Sequence, residues 1–310
     1  MKIVMVASEC RPYCKTGGLA DVVYSLSKEL VTLNNEVSVI LPYYQKIHFD
    51  DKKPAELVDS FIVEMSWRHQ EAKIYHQKYL GVDFYFVQHW YFDRPNFYGD
   101  GDDGERFAFF TLAAREFLAR RKSIPDIIHV HDWQAGMLPC LIKTNDYYHN
   151  IFKKTKFVMT IHNPAFQGML DRDALGNLYN LPVYLFDDGQ VRLDGRVSTL
   201  KAGLVFADKI TTVSPTHRSE LLTPEGGMHL DGVLNLREWD FCGILNGIDY
   251  LEFNPEDDPQ IYFTYNKDNL VEGKKKNKKA LFKELNIVDY GKPLFSLVSR
   301  LTWQKGLGIL

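Results

Sequence analysis

Three features of this 310-residue sequence predict an α/β fold, a mostly parallel sheet carrying an antiparallel insertion. Strand, helix and strand patterns fill the stretch up to Pro42, which is the size of a βαβ unit. Three strand-like runs with no helix between them come next. From Ile127 onward apolar runs again alternate with helical periods, which implies parallel strands covered by helices on both faces.

The first element is the apolar run of residues 3–7, a buried-strand pattern. A loop with Pro12 and the pair Gly17-Gly18 leads into Leu19, Val22, Val23, Leu26 and Leu30, which recur at threes and fours as on one helix face. Residues 37–41 form the next strand, ending at Pro42, and the crossover is expected to be right-handed. Residues 56–65, 72–80 and 82–89 read as successive antiparallel strands, with Gly81 at a tight turn. Residues 106–121 have a helical period. A strand at 127–130 precedes a helix from about Trp133, and 157–161 is another strand. Residues 200–207 are helical, and the strand at 210–213 is ended by Ser214-Pro215. Near residues 243–247 the rhythm breaks, and residues 254–259 have linker chemistry. A helix at 278–285 and a strand at 294–298 follow, with a helix beginning at Gly306. That last strand needs sheet neighbours and none follow it, so this part reads as the opening of a second domain.

Hydrophobic residues make up 45% and charged residues 25%, the proportions of a globular enzyme. With 37 Lys+Arg against 40 Asp+Glu, the net charge of -3 gives no general attraction for nucleic acid or an anionic membrane. The N-terminal apolar run is too short for a signal peptide and is stopped by Glu9. No stretch approaches the roughly 20 apolar residues of a membrane helix. Cys10, Cys14, Cys140 and Cys242 are too scattered for a disulfide framework, and the first two lack the C-x-x-C spacing. Reduced thiols and a cytoplasmic location are expected.

The sharpest local motif is Lys15-Thr16-Gly17-Gly18-Leu19-Ala20-Asp21, between the first strand and the first helix. Open α/β sheets bind ligands beyond the carboxyl ends of their strands. Two glycines admit an anion close to backbone N–H groups, the helix N-terminus adds partial positive charge, and Lys15 adds a full one. The pattern suits a phosphate or diphosphate; a glycine-rich helix entry with a solvated lysine is the alternative. It is neither G-x-G-x-x-G nor a Walker motif, which argues against a nicotinamide-linked oxidoreductase.

Polar residues also gather at later strand ends, in His129-Val130-His131-Asp132-Trp133 and Ile161-His162-Asn163. Metal ligation is the rival reading for three histidines, but further ligands at matching spacing are absent, and no metal is expected. Arg300 and Lys305 are cations suited to a diphosphate leaving group, although such a pair is also a common surface feature. The basic run at residues 274–279 reads as a solvated face. Asp100-Gly101-Asp102-Asp103-Gly104 lacks EF-hand spacing and reads as a flexible loop.

Taken in order, these motifs resemble the bacterial glycogen synthase and plant starch synthase family. The resemblance continues through Phe166-Gln167-Gly168, Leu200-Lys201-Ala202-Gly203, Thr212-Val213-Ser214-Pro215, Leu245-Asn246-Gly247-Ile248-Asp249 and Val298-Ser299-Arg300-Leu301-Thr302, then Gln304-Lys305-Gly306. It implies a GT-B glycosyltransferase with two Rossmann-like domains. Residues 1–250 would be the acceptor-side domain, and 251–310 a linker with a truncated start of the second. The implied activity is retaining transfer of glucose from ADP-glucose to the non-reducing end of an α-1,4-glucan, without a cofactor. Carried over by position, Lys15, Gly17 and Gly18 would contact donor phosphate, and Arg300 and Lys305 would stabilise the departing diphosphate. Asp132 and His162 would shape the reacting centre, with Asp21 and Asn246 near the glucosyl and acceptor groups. Glu9 and Tyr98 would contact the acceptor. Family members continue well past Lys305, so these 310 residues alone are expected to make no measurable glucan. A silent glucan-binding fragment and a relative using another sugar nucleotide are the alternatives.

Overall fold

The computed structural model describes residues 1–49, 53–299, 301 and 305–309, in two compact units, Met1–Gly247 and Ile248–Leu310. In the first unit the chain runs β1 (Lys2–Val6), α1 (Gly18–Thr32), β2 (Glu36–Pro42), β3 (Glu56–Met65), β4 (Arg68–Tyr79), β5 (Val82–Gln88) and α2 (Asp103–Arg120). There follow β6 (Ile127–His131), α3 (Asp132–Gly136), α4 (Leu138–Lys143), α5 (Asp146–Ile151) and β7 (Lys156–Ile161). Short pieces come next: β8 (Met169–Leu170), α6 (Ala174–Asn177), α7 (Tyr184–Asp187), β9 (Arg192–Leu193) and β10 (Arg196–Ser198). The unit closes with α8 (Thr199–Phe206), β11 (Lys209–Thr212), α9 (Pro215–Leu221), α10 (Pro224–Gly227), α11 (Asp231–Leu236) and β12 (Phe241–Gly243).

One nine-stranded sheet, in the order β12-β11-β7-β6-β1-β2-β5-β4-β3, organises the unit. Strand β1 lies near its middle, parallel to β2 through Val4↔Ser38 and to β6 through Val4↔Ile128. Its residues Val4 to Val6 are buried on both faces, which is why the run has no alternation. The insertion is an antiparallel hairpin, β3–β4, that extends the same sheet. Strand β5 serves both parts, antiparallel to β4 and parallel to β2. Helix α2 is buried along most of its length, with Phe107, Phe109, Phe110 and Leu112 all in the core.

The outer strand β3 alternates buried Phe61, Val63 and Met65 with exposed positions, breaks register between Leu57 and Asp59, and carries Glu56, Asp59 and Glu64. Asp59 is tied to Arg120 of α2 at 3.1 Å.

The second unit holds one long helix, α12 (Leu270–Glu284), which begins eight residues before the expected 278. Its Lys-rich first half has no apolar stripe to announce it. The strand expected at 294–298 is not formed: the segment is irregular, and Phe295 and Val298 are exposed. A strand is stable only with a ladder partner, and among the described residues this one has none. Among the described residues a 3₁₀ turn, Leu307–Ile309, stands near the helix expected from Gly306. No helix among the described residues is long and apolar enough to cross a membrane.

Candidate active site

Strand order sets the place of the site. From β1 the chain moves to β2 on one side, while β6 lies on the other. A crevice at such a reversal, outside the carboxyl ends of the strands, is where open α/β sheets take ligands. Ser8 and Glu9 follow β1 there, His131 and Asp132 close β6, and His162 follows β7.

Glu9 is buried, and its carboxylate faces the glycine turn. It accepts the Thr16 N–H in a short bond, the Thr16 hydroxyl at 2.7 Å and the Gly17 N–H at 3.3 Å. Tyr98 donates to Glu9 Oε1 at 2.7 Å and lies 2.7 Å from the Ser8 hydroxyl. Tyr98 hangs from the segment between β5 and α2, which Arg106 pins by donating to the Phe97 carbonyl at 2.6 Å and pairing with Asp103. Gly17 caps α1 in an extended conformation without a side-chain cap. A Cβ built on Gly17 or Gly18 would meet no atom within 4 Å. The turn therefore presents open space to an incoming group.

Lys15 does not stand free at that turn. Its ammonium pairs with Asp21 at 2.7 Å, and Arg11 approaches the same carboxylate at 3.3 Å. Arg11 escaped the sequence reading, although a second cation in a strand-to-helix loop beside the glycines was a usable signal.

Asp132 has φ +54, a left-handed backbone that few non-glycine residues adopt. Its Oδ1 accepts the N–H of His162 at 2.7 Å and of Asn163 at 3.4 Å, locking the ends of β6 and β7 together. Burial raises its carboxyl to about 7 despite these two lowering bonds. His131 Nδ1 meets His162 Nε2 at 3.0 Å, and His129 Nε2 meets Thr160 Oγ1 at 2.6 Å. Burial pushes the histidines down, to about 3 for His129, to about 4 for His162 and well below the usual range for His131. All three imidazoles are neutral near pH 7, and one ring nitrogen of each is taken up in a hydrogen bond. The acidic loop brings Asp100, Asp102 and Asp103 together, but Arg94 and Arg106 pair with them.

A cavity of about 830 Å³ opens at Trp133, the residue after Asp132. Trp133, Phe166, Gln167 and Gly168 line one part, and Arg68, Asp103 and Glu105 another. Phe166 is half exposed, and Arg68 pairs with Glu105 at 3.2 Å. Flat apolar faces among charged hydrogen-bonding groups suit a polyhydroxylated ligand. Trp133, Phe166 and Arg68 were not identified as site residues from the sequence; the first two sat inside recognised motifs.

The structure thus gathers Glu9, Lys15, Gly17, Gly18, Asp21, Tyr98, Asp132 and His162 at one edge of the first unit. Asn246 is exposed in the segment after β12. Lys305 is exposed in the second unit, and Arg300 lies outside the described residues.

The chain is similar to known proteins along its whole length. The family model described as the starch synthase catalytic domain matches residues 2–236. A glycogen synthase of Clostridium kluyveri is 41% identical over 312 aligned residues, covering 100% of this chain and 66% of the relative. One from Exiguobacterium sibiricum is 44% identical, covering 100% and 65%. The catalytic domain of starch synthase IV from Arabidopsis thaliana, solved bound to ADP and acarbose, superposes with a TM-score of 0.89 at 34% identity. That match covers 99% of this chain and 64% of the other, and it places the α/β architecture in the GT-B class. The chain spans about two thirds of the length of these relatives. With the family model matched over residues 2–236 and relatives more than 40% identical along the whole chain, the chain belongs to the starch synthase catalytic domain family.

Proposed function

We propose that the protein transfers glucose from ADP-glucose to the non-reducing end of an α-1,4-glucan with retention of configuration. The observation that carries this reading is that the open glycine turn and the Asp132 carboxylate, which accepts the His162 backbone N–H, both follow strand ends at the reversal of the sheet, with a large cavity starting at Trp133, the residue after Asp132. In the reaction the bond from glucose C1 to the donor phosphate breaks as C1 bonds to the acceptor O4. The acceptor proton passes to the leaving phosphate on the same face, which preserves the anomer.

Negative charge grows on ADP as that bond breaks. Lys15, released from Asp21, and the N-terminal amides of α1 would stabilise it, with Arg300 and Lys305 as further cations. Removing one such cation costs on the order of 3 kcal/mol, roughly a hundredfold in rate. Asp132, with one oxygen held by the backbone and its carboxyl raised to about 7, would hydrogen-bond a sugar hydroxyl. The Trp133–Phe166 cavity would take the body of the glucan. The Arabidopsis enzyme, bound to ADP and acarbose, supports a nucleotide and an oligosaccharide as ligands.

The test is glucose incorporation from labelled ADP-glucose into maltoheptaose by the full-length protein, with anomeric NMR of the product. Lys15→Ala should lower the rate about a hundredfold. Absence of transfer by the folded full-length protein, or a β-linked product, would overturn the reading. A second reading, glucan binding without transfer by these 310 residues, is favoured by the cavity lying wholly within the first unit. Maltoheptaose binding with no incorporation by this chain separates the two.

A further inference from the structure

We propose that Glu9 is a positioning residue: through Thr16 and Gly17 it holds the glycine turn in its ligand-ready shape, with Tyr98 as the strut behind it. Its oxygens are taken up by the chain itself. Oε2 receives the Thr16 and Gly17 N–H groups, and Oε1 receives the Thr16 and Tyr98 hydroxyls. With the side chain buried, little of the carboxylate faces a ligand.

The turn needs such a clamp. Gly17 and Gly18 have no packing neighbours on their Cβ side, and the cap position of α1 has no side-chain acceptor. Two adjacent glycines otherwise leave the turn a wide choice of backbone angles. A carboxylate accepting backbone N–H groups makes charge-assisted bonds, stronger than those of a neutral acceptor. Fixing Thr16 and Gly17 leaves the following peptides, which open α1, aimed outward. Tyr98 is held in turn by Ser8 and by the segment that Arg106 anchors, so the clamp reaches back into the core.

The bond pattern also separates this role from one that needs negative charge. A glutamine at position 9 can keep Oε1 on the two amides and turn its NH₂ toward Thr16 Oγ1 and Tyr98 Oη, both of which can accept. An alanine keeps nothing.

The experiment measures amide exchange of Thr16 and Gly17 by NMR in the wild-type chain, Glu9→Gln, Glu9→Ala and Tyr98→Phe. Calorimetric affinities for ADP and for maltoheptaose accompany it; this ligand half rests on the proposed function. Glu9→Ala should speed exchange at both amides by at least about tenfold and weaken ADP by a similar factor, while maltoheptaose affinity holds. Glu9→Gln should stay within about threefold of wild type on every readout, with Tyr98→Phe between the two. Unchanged exchange in Glu9→Ala, or a Glu9→Gln variant as impaired as Glu9→Ala, would overturn the proposal. So would a loss confined to maltoheptaose, which would make Glu9 an acceptor contact. If wild type binds neither ligand, the functional reading fails, and the exchange rates still decide the role of Glu9.

Discussion

Gly18 begins α1 with nothing near its missing side chain, so the fold itself does not require glycine there. The proposed donor phosphate would. Gly18→Ala should therefore leave the melting temperature unchanged or raise stability by about 0.5 kcal/mol, because alanine loses less backbone freedom on folding. The same methyl would occupy the approach to the helix N-terminus and weaken ADP about tenfold by calorimetry. The buried histidines give a second expectation. His129 and His162 are held below their ordinary 6.5, at about 3 and about 4, so the stability they contribute is present above 6.5 and lost as pH falls toward those values. Asp132 works oppositely: raised from 3.8 to about 7, its contribution is present below 3.8 and lost as pH rises through 7. With His131 also depressed, three groups oppose one. The urea midpoint should drop between pH 7 and 4.5, and less steeply in His129→Gln, which does not titrate and can still reach Thr160.

Among the elements, glycines mark where backbones touch. A Cβ on Gly136 would sit 2.4 Å from the Thr199 carbonyl oxygen, and one on Gly203 would sit 2.9 Å from Met159 Sδ and 3.0 Å from the Gly136 carbonyl. Helices α3 and α8 therefore meet through these two residues. Gly136→Ala should cost about 1–3 kcal/mol in denaturant unfolding, whereas Gly176→Ala, with open space around it, should cost nothing measurable. Gly203 lay in a motif quoted for the family resemblance, yet periodicity alone did not say that it or Gly136 was a contact point. What was legible followed burial: β1, β2 and β7 carry apolar runs because both faces of the sheet are covered there. Strand β4 begins at Arg68 rather than 72, because its outer end alternates polar residues against a half-exposed edge. Helices of four to six residues, such as α6, α7 and α11, complete too few turns to show a period. In the site, strand-end residues such as Asp132 and His162 were readable from position alone. The inward turn of Glu9 and the Lys15–Asp21 pairing depend on side-chain directions that no spacing encodes.

At the scale of the molecule, the two units differ in how much they bury. The first is built around a sheet with a continuous core, while Phe295, Leu297 and Val298 of the second stand exposed. Amides of residues 294–298 should exchange orders of magnitude faster than those of β1 in a hydrogen-exchange experiment. Strong protection of that segment in a monomer would contradict the irregular conformation. Among the described residues the sheet of the first unit ends at β3, with Leu57 and Ile62 exposed. The register break and the exposed carboxylates of Glu56 and Glu64 make this rim a poor template, since a second molecule docking there would bring like charges together. Colloidal behaviour would thus lean on two exposed acids, and a variant that neutralised Glu56 and Glu64 should precipitate more readily while its fold stayed intact.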